Sequence, residues 1–163
     1  MAVTFSSNYK EVFPEDTVTI IEELKEYYEL TEILEVLDVF GDEWSQAQLE
    51  TILNTEDRDA LYEFLQEYGN TSLEYYEKFV DLCNDYDEDA VKAYIECVGI
   101  DYLYEFEEAY CGHFNNARDF VEDYLESTGT EIPSWLSVDY EKTWYSAFRH
   151  DYIEEKGYYF RRM

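Results

Sequence analysis

Apolar side chains recur along this chain at steps of three and four, in short runs that stop at glycine. That spacing puts them on one face of a helix, so the chain reads as a series of short amphipathic helices. Val18, Ile20, Ile21, Leu24, Tyr27 and Tyr28 predict a helix over 16–29, behind Pro14 and Asp16 as start signals. Ile33, Leu34, Val36, Leu37 and Phe40 predict one over 31–40, stopped by Gly41. Ser45 is the expected N-cap of a helix holding Leu49, Ile52 and Leu53. Residues 57–68 repeat the pattern with Leu61, Phe64, Leu65 and Tyr68 before Gly69.

The second half continues in the same way. A helix is expected from near Ser72 through Leu73, Tyr76, Phe79, Val80 and Cys83, and another over 88–98 before Gly99. Further helices are expected over 101–111, ending at Gly112, over 117–127 with Phe120, Val121, Tyr124 and Leu125, and over 140–153 around Trp144, Ala147 and Phe148. Val3-Thr4-Phe5 and Tyr158-Tyr159-Phe160 are the β-prone pieces, and 137–140 is a further candidate for extended chain. The expected fold is α+β and predominantly helical: an elongated array of short helices with small strands near the termini. EVLDVFG (35–41) and YIECVG (94–99) look alike, as any two helices stopped by glycine would.

Charge narrows the function. The 163 residues hold 40 Asp and Glu against 11 Lys and Arg, for a net charge of −29. Nucleic acid and anionic membrane are polyanions whose binding relies on Lys and Arg, so neither is expected as a direct ligand. The expected partner is basic. Disorder is not expected, because 19% of the residues are aromatic and can supply a buried core. No apolar run is long enough to cross a membrane, and Met1 to Lys10 lacks the pattern of a secretory signal. Cys83, Cys97 and Cys111 form no CxxC pair and fit a reducing cytoplasm.

The charge is unevenly placed. Lys142, Arg149, Lys156, Arg161 and Arg162 outnumber Asp151, Glu154 and Glu155 over 142–163, which leaves that end mildly basic and suited to self-association. Elsewhere carboxylates repeat on outer helix faces: Glu22, Glu23, Glu26 and Glu29; Glu63 and Glu67; Glu105, Glu107 and Glu108; Asp119, Glu122, Asp123 and Glu126. Such neighbours repel, and a sequence serving helix stability alone would intersperse Lys. B-DNA carries one charge per roughly 1.7 Å of axis, so 29 net charges correspond to about 50 Å of duplex, roughly 15 base pairs. The reading is a surface that imitates the phosphate backbone. Halophilic adaptation and a generic acidic interaction protein are the competing explanations of the composition.

Other chemistry has weaker support. Asp85, Asp87, Asp89 and Glu96 match positions of a calcium-binding EF-hand loop, but Ala90 stands where that loop needs glycine and Lys92 where it needs an aliphatic residue. Carboxylates at a helix N-terminus are the competing account. His113 and His150 join no nucleophile, metal or phosphate-binding motif, so no enzyme, metal site or cofactor is expected.

FEEAYCGHFNNARDFVEDYLESTG (106–129), IPSWLSVDYEKTWYSAFRHDYI (132–153) and GYYFRR (157–162) together resemble the C-terminal module of the ArdA antirestriction proteins. TSLEYYEKFVDLCNDYDEDAVKAYIECVG (71–99) is similar to that family's middle module. The resemblance divides the chain into a divergent acidic helical module (1–70), an acidic helical middle module (71–112) and a C-terminal α+β module (113–163). Residues 1–70 depart from the family's strand-rich opening, and Gly41-Asp42-Glu43-Trp44 is no close counterpart of its Gly-x-Trp segment.

The resemblance implies a homodimeric DNA mimic, carried by phages or mobile elements and acting in the bacterial cytoplasm. It would fill the DNA site of the methyltransferase core of type I restriction–modification enzymes. Asp85, Asp87, Glu88, Asp89, Glu96, Asp101, Glu105, Glu107, Glu108, Asp119, Glu122, Asp123 and Glu126 would then stand in for phosphates. Trp144, Phe148, Tyr158, Tyr159 and Phe160 are the expected dimer contact. The alternative is an acidic partner of another basic DNA-binding protein, such as a nucleoid protein or a defence nuclease.

Overall fold

The computed structural model describes residues 8–163 and is a predominantly helical α+β fold. Val3-Thr4-Phe5 lies outside the described residues. The chain divides into two compact units, one ending at Leu73 and the other running from Glu74 to Met163.

The first unit is helical: α1 (Tyr9–Val12), α2 (Glu15–Leu24), α3 (Leu30–Phe40), α4 (Gln46–Asn54) and α5 (Arg58–Tyr68). Its core is mostly aliphatic, with Ile21, Leu24, Ile33, Leu49, Ile52 and Leu61 shut off from solvent. Helix α2 is shorter than its apolar spacing predicts. It stops at Leu24, and Lys25 to Tyr28 turn away with the Tyr27 amide donating to the Leu24 carbonyl. Tyr27 stays 77% exposed and gives the last expected turn little to hold it in the helix, while Tyr28 is half-buried and donates its hydroxyl to Asn54.

Helix ends in this unit are secured by side chains. The Trp44 indole donates to the Phe40 carbonyl at the end of α3, 2.9 Å away. Ser45 and Gln48 form a reciprocal capping box at the start of α4. At the other end of α4, Arg58 donates to the Ile52 and Leu53 carbonyls and pairs with Glu32 of α3. One guanidinium thus reaches the last carbonyls of α4 and links two helices.

A 3₁₀ helix (Asn70–Tyr75) spans the boundary at Leu73 and leads into α6 (Tyr76–Asp85), the first α-helix of the second unit, so the α-helix begins later than Ser72. Then come α7 (Glu88–Cys97), a 3₁₀ helix (Ile100–Glu105), α8 (Phe106–Ala109), β1 (Tyr110–His113), α9 (Ala117–Ser127), α10 (Tyr140–Ser146), β2 (Tyr152–Glu155) and β3 (Tyr158–Arg161). The strands form one antiparallel sheet in the order β1-β3-β2. Alternation along β3 serves two layers. Tyr159 stacks on Phe120 of α9, 4.6 Å between ring centroids, with Trp144 of α10 edge-on to both. Phe160 meets Tyr94 of α7 and Phe106 of α8 on the other side.

Two expected helices are corrected by this sheet. The one over 101–111 ends at Ala109, and Tyr110 to His113 pair with β3, with a bulge between Tyr110 and Gly112. The one over 140–153 ends at Ser146, and after a 3₁₀ turn the chain enters β2. Pairing with β3 outweighs helical spacing in both places. Lys156 and Gly157 join β2 to β3, and both have positive φ (53° and 85°), as a primed two-residue turn requires. A Cβ at Gly157 would also lie 2.7 Å from His113 Nε2, so glycine is demanded twice. Residues 137–139 join no strand, and Asp139 instead caps α10.

Candidate acidic interaction surface

The helix rules that bury one face of α9 turn its carboxylates outward. Phe120 and Val121 are buried, while Asp119, Glu122, Asp123 and Glu126 lie on the open side, the first two half-buried and the others exposed. Asp119 with Asp123, and Glu122 with Glu126, stand one turn apart and repel. No cation of the described chain forms an ion pair with any of the four. Asn116 accepts the Asp119 amide at the helix start, and the acidic residue there is favoured by the positive end of the dipole.

The second group surrounds α7. Asp85 ends α6, Asp87 is the N-cap of α7, and Glu88 and Asp89 occupy its first turn; all four are exposed. Asp87 accepts the Asp89 amide with one oxygen, and with the other the Tyr158 hydroxyl at 2.8 Å. That hydrogen bond, followed by burial, pushes the Tyr158 phenol up to about 12. Glu96, exposed near the end of α7, takes Lys156 at 2.7 Å. The carboxylates that matched an EF-hand loop are therefore distributed over a helix end, a helix cap and an ion pair. Among the described residues, no group of three or more His, Cys, Asp and Glu is placed to hold a metal ion.

The third group follows Gly99. Asp101 is exposed and Glu105 half-buried on the 3₁₀ helix, and Glu107 and Glu108 are exposed on α8. Lys78 reaches Glu107 at 2.8 Å and, by hydrogen bond and charge, holds its carboxyl below the ordinary range. Across the described chain, ion pairs engage Glu22, Glu32, Glu88, Glu96 and Glu107 out of 40 acidic residues.

The expected dimer contact is corrected. Tyr158, Tyr159, Phe160 and Trp144 are buried inside their own unit, and Phe148 is half-buried against Phe120 and Tyr124. Moreover β3 is the central strand, with both backbone edges already paired. These aromatics are core because the helices α7, α8, α9 and α10 pack over the two faces of β3. The apolar side chains that do face solvent nearby are Trp135 (81% exposed), Leu136 and Tyr145. Sequence reasoning missed Trp135; its signal was an apolar pair in a loop between Pro133 and Asp139, outside any helical period.

Cations gather on the sheet's open end. Arg161 and Arg162 line two clefts, one of about 470 Å³ with Tyr94, Cys97 and Ile153, the other of about 400 Å³ with Tyr124, Phe148 and Tyr152. Neither arginine forms an ion pair with the described residues. Burial pushes the Cys83 and Cys97 thiols up to about 11, which suppresses the thiolate and hence nucleophilic chemistry there. Among the described residues, no helix is long and apolar enough to cross a membrane. No family model matches the chain, no curated protein matches it, and no solved structure matches it.

Proposed function

We propose that this protein is a non-catalytic DNA mimic that occupies the DNA-binding groove of type I restriction–modification enzymes and blocks restriction, methylation or both. The observation that carries the reading is the outward row on α9: four carboxylates on two turns, mutually repulsive and none of them in an ion pair with a described cation, Arg118 of the same helix included. That arrangement costs helix stability and gains only when a basic surface covers it. The groups around α7 and α8 extend the same chemistry, and the resemblance of 106–162 to ArdA proteins supplies the target class. Self-association into a homodimer belongs to the same reading, through the exposed Trp135, Leu136 and Tyr145 of the less acidic C-terminal part of the chain, where two acidic bodies repel least.

Binding of this kind is a sum of many exposed charge pairs. Each is worth about 0.2–1 kcal/mol and is screened by salt. Purified type I enzyme, assayed for cleavage and methylation with increasing amounts of this protein, gives the test. Inhibition at micromolar protein and low salt, weakening steeply as salt rises, is the expected result; no inhibition of either activity at low salt removes the proposal. Replacing all four α9 acids (D119N, E122Q, D123N, E126Q) weakens inhibition by about tenfold or more, while any one alone has little effect.

A further inference from the structure

The first unit shows how this chain holds a cation with a tyrosine ring and a carboxylate. Lys10 and Lys25 lie over the Tyr9 ring, 5.9 and 5.6 Å from its centroid. Both pair with Glu22, at 3.2 and 3.5 Å, and Tyr9 donates its hydroxyl to the same carboxylate. Arg118 over the Tyr140 ring at 5.9 Å is a second stacked cation, this time a guanidinium.

The second unit holds the same set of groups without a cation. Tyr75 and Tyr104 have ring centroids 6.0 Å apart at 56°, with Tyr104 61% exposed. Asp101 and Tyr104 are three residues apart on a 3₁₀ helix, where such positions eclipse, so they share one edge. Burial first, then the charges of Glu74 and Asp101 together with a hydrogen bond to the Glu74 carboxylate, raise the Tyr75 phenol above its ordinary value. Among the described residues no cation lies over either ring, and no ion pair engages Glu74 or Asp101.

We propose that Tyr75, Tyr104, Glu74 and Asp101 form a receptor for one arginine side chain of the basic partner. The inference rests on reading the chain as a polyanionic mimic and adds a selective contact to it. A guanidinium is flat and weakly hydrated, so it stacks on a ring while its edge donates to carboxylates; an ammonium does this less well. An open phosphate-like row would not discriminate between the two. This ledge does, and it favours partners whose DNA-contacting cations are arginines.

Acetylated, amidated tri-arginine and tri-lysine peptides are titrated into the full chain at low salt, and the Tyr75 and Tyr104 ring signals are followed by NMR. Both rings are expected to respond to tri-arginine at about two- to fivefold lower concentration than to tri-lysine, the gain expected of one exposed cation–π contact. Tyr104→Leu abolishes the preference at Tyr75, Tyr104→Phe retains it, and Asp101→Asn weakens both peptides alike. Equal responses to the two peptides, or a preference that survives Tyr104→Leu, overturn the receptor and leave the polyanion reading standing. If neither peptide binds anywhere on the chain at low salt, both fall.

Discussion

The two units solve the same packing problem with different materials. The unit ending at Leu73 fills its interior chiefly with Leu, Ile and Val on helices, and its ends are fastened by Trp44, Ser45 and Arg58. The unit from Glu74 onward fills a thin sheet on both faces with Phe, Tyr and Trp. Aromatic rings bury much area per residue and lock by edge-to-face contact, which suits a four-residue strand with few positions to offer. The cost is a core with hydroxyl groups in it. The comparison teaches that the second unit should be sensitive to the ionisation of its own interior, and the first should not.

The largest expected effect comes from alkali. Tyr94, Tyr152, Tyr158 and Tyr159 have phenols pushed up to about 12, chiefly by burial and, for Tyr158, by Asp87. A raised folded value means that stability is intact below the ordinary phenol value of about 10 and is lost as pH climbs through 12. The dispersed methyl and aromatic carbon-bound proton NMR signals of the second unit should therefore collapse in that window before those of the first. Simultaneous loss would break the comparison.

Phe106→Ala comes next. Phe106 is fully buried and touches Tyr86, Tyr94, Tyr110 and Phe160, so its removal should cost about 3–5 kcal/mol in denaturant unfolding. Ser45→Ala should cost about 1 kcal/mol, and it tests whether the first unit depends on its caps. The smallest effect has the opposite sign. Tyr94 is buried with a hydroxyl that has no partner, so Tyr94→Phe should leave stability unchanged or raise it by up to about 1 kcal/mol. A loss above that figure would show that the hydroxyl matters to the fold.

Much of this was legible in the sequence, and the failures have physical causes. Helices α3, α4 and α5 follow from apolar period, the Ser45 cap and the Gly41 and Gly69 stops, all local signals. The misreadings lie where a distant partner decides. Tyr110 to His113 and Tyr152 to Glu155 have residues a helix would accept, but each becomes a strand by pairing with β3. The outward α9 acids could be read from helical geometry alone. That Trp144 and Phe160 are core could not, because burial depends on what the sheet brings over them. The ledge of Tyr75 and Tyr104 joins residues 29 positions apart in sequence, and no spacing rule reaches that far.

The sheet has a further consequence. Its outer strands are four residues each, one kinked by the bulge before Gly112 and the other carrying Glu154 and Glu155. Short, bent or charged margins offer a poor template for another strand. For a unit so rich in tyrosine and phenylalanine, this sheet is thereby a poor seed for growth into fibres.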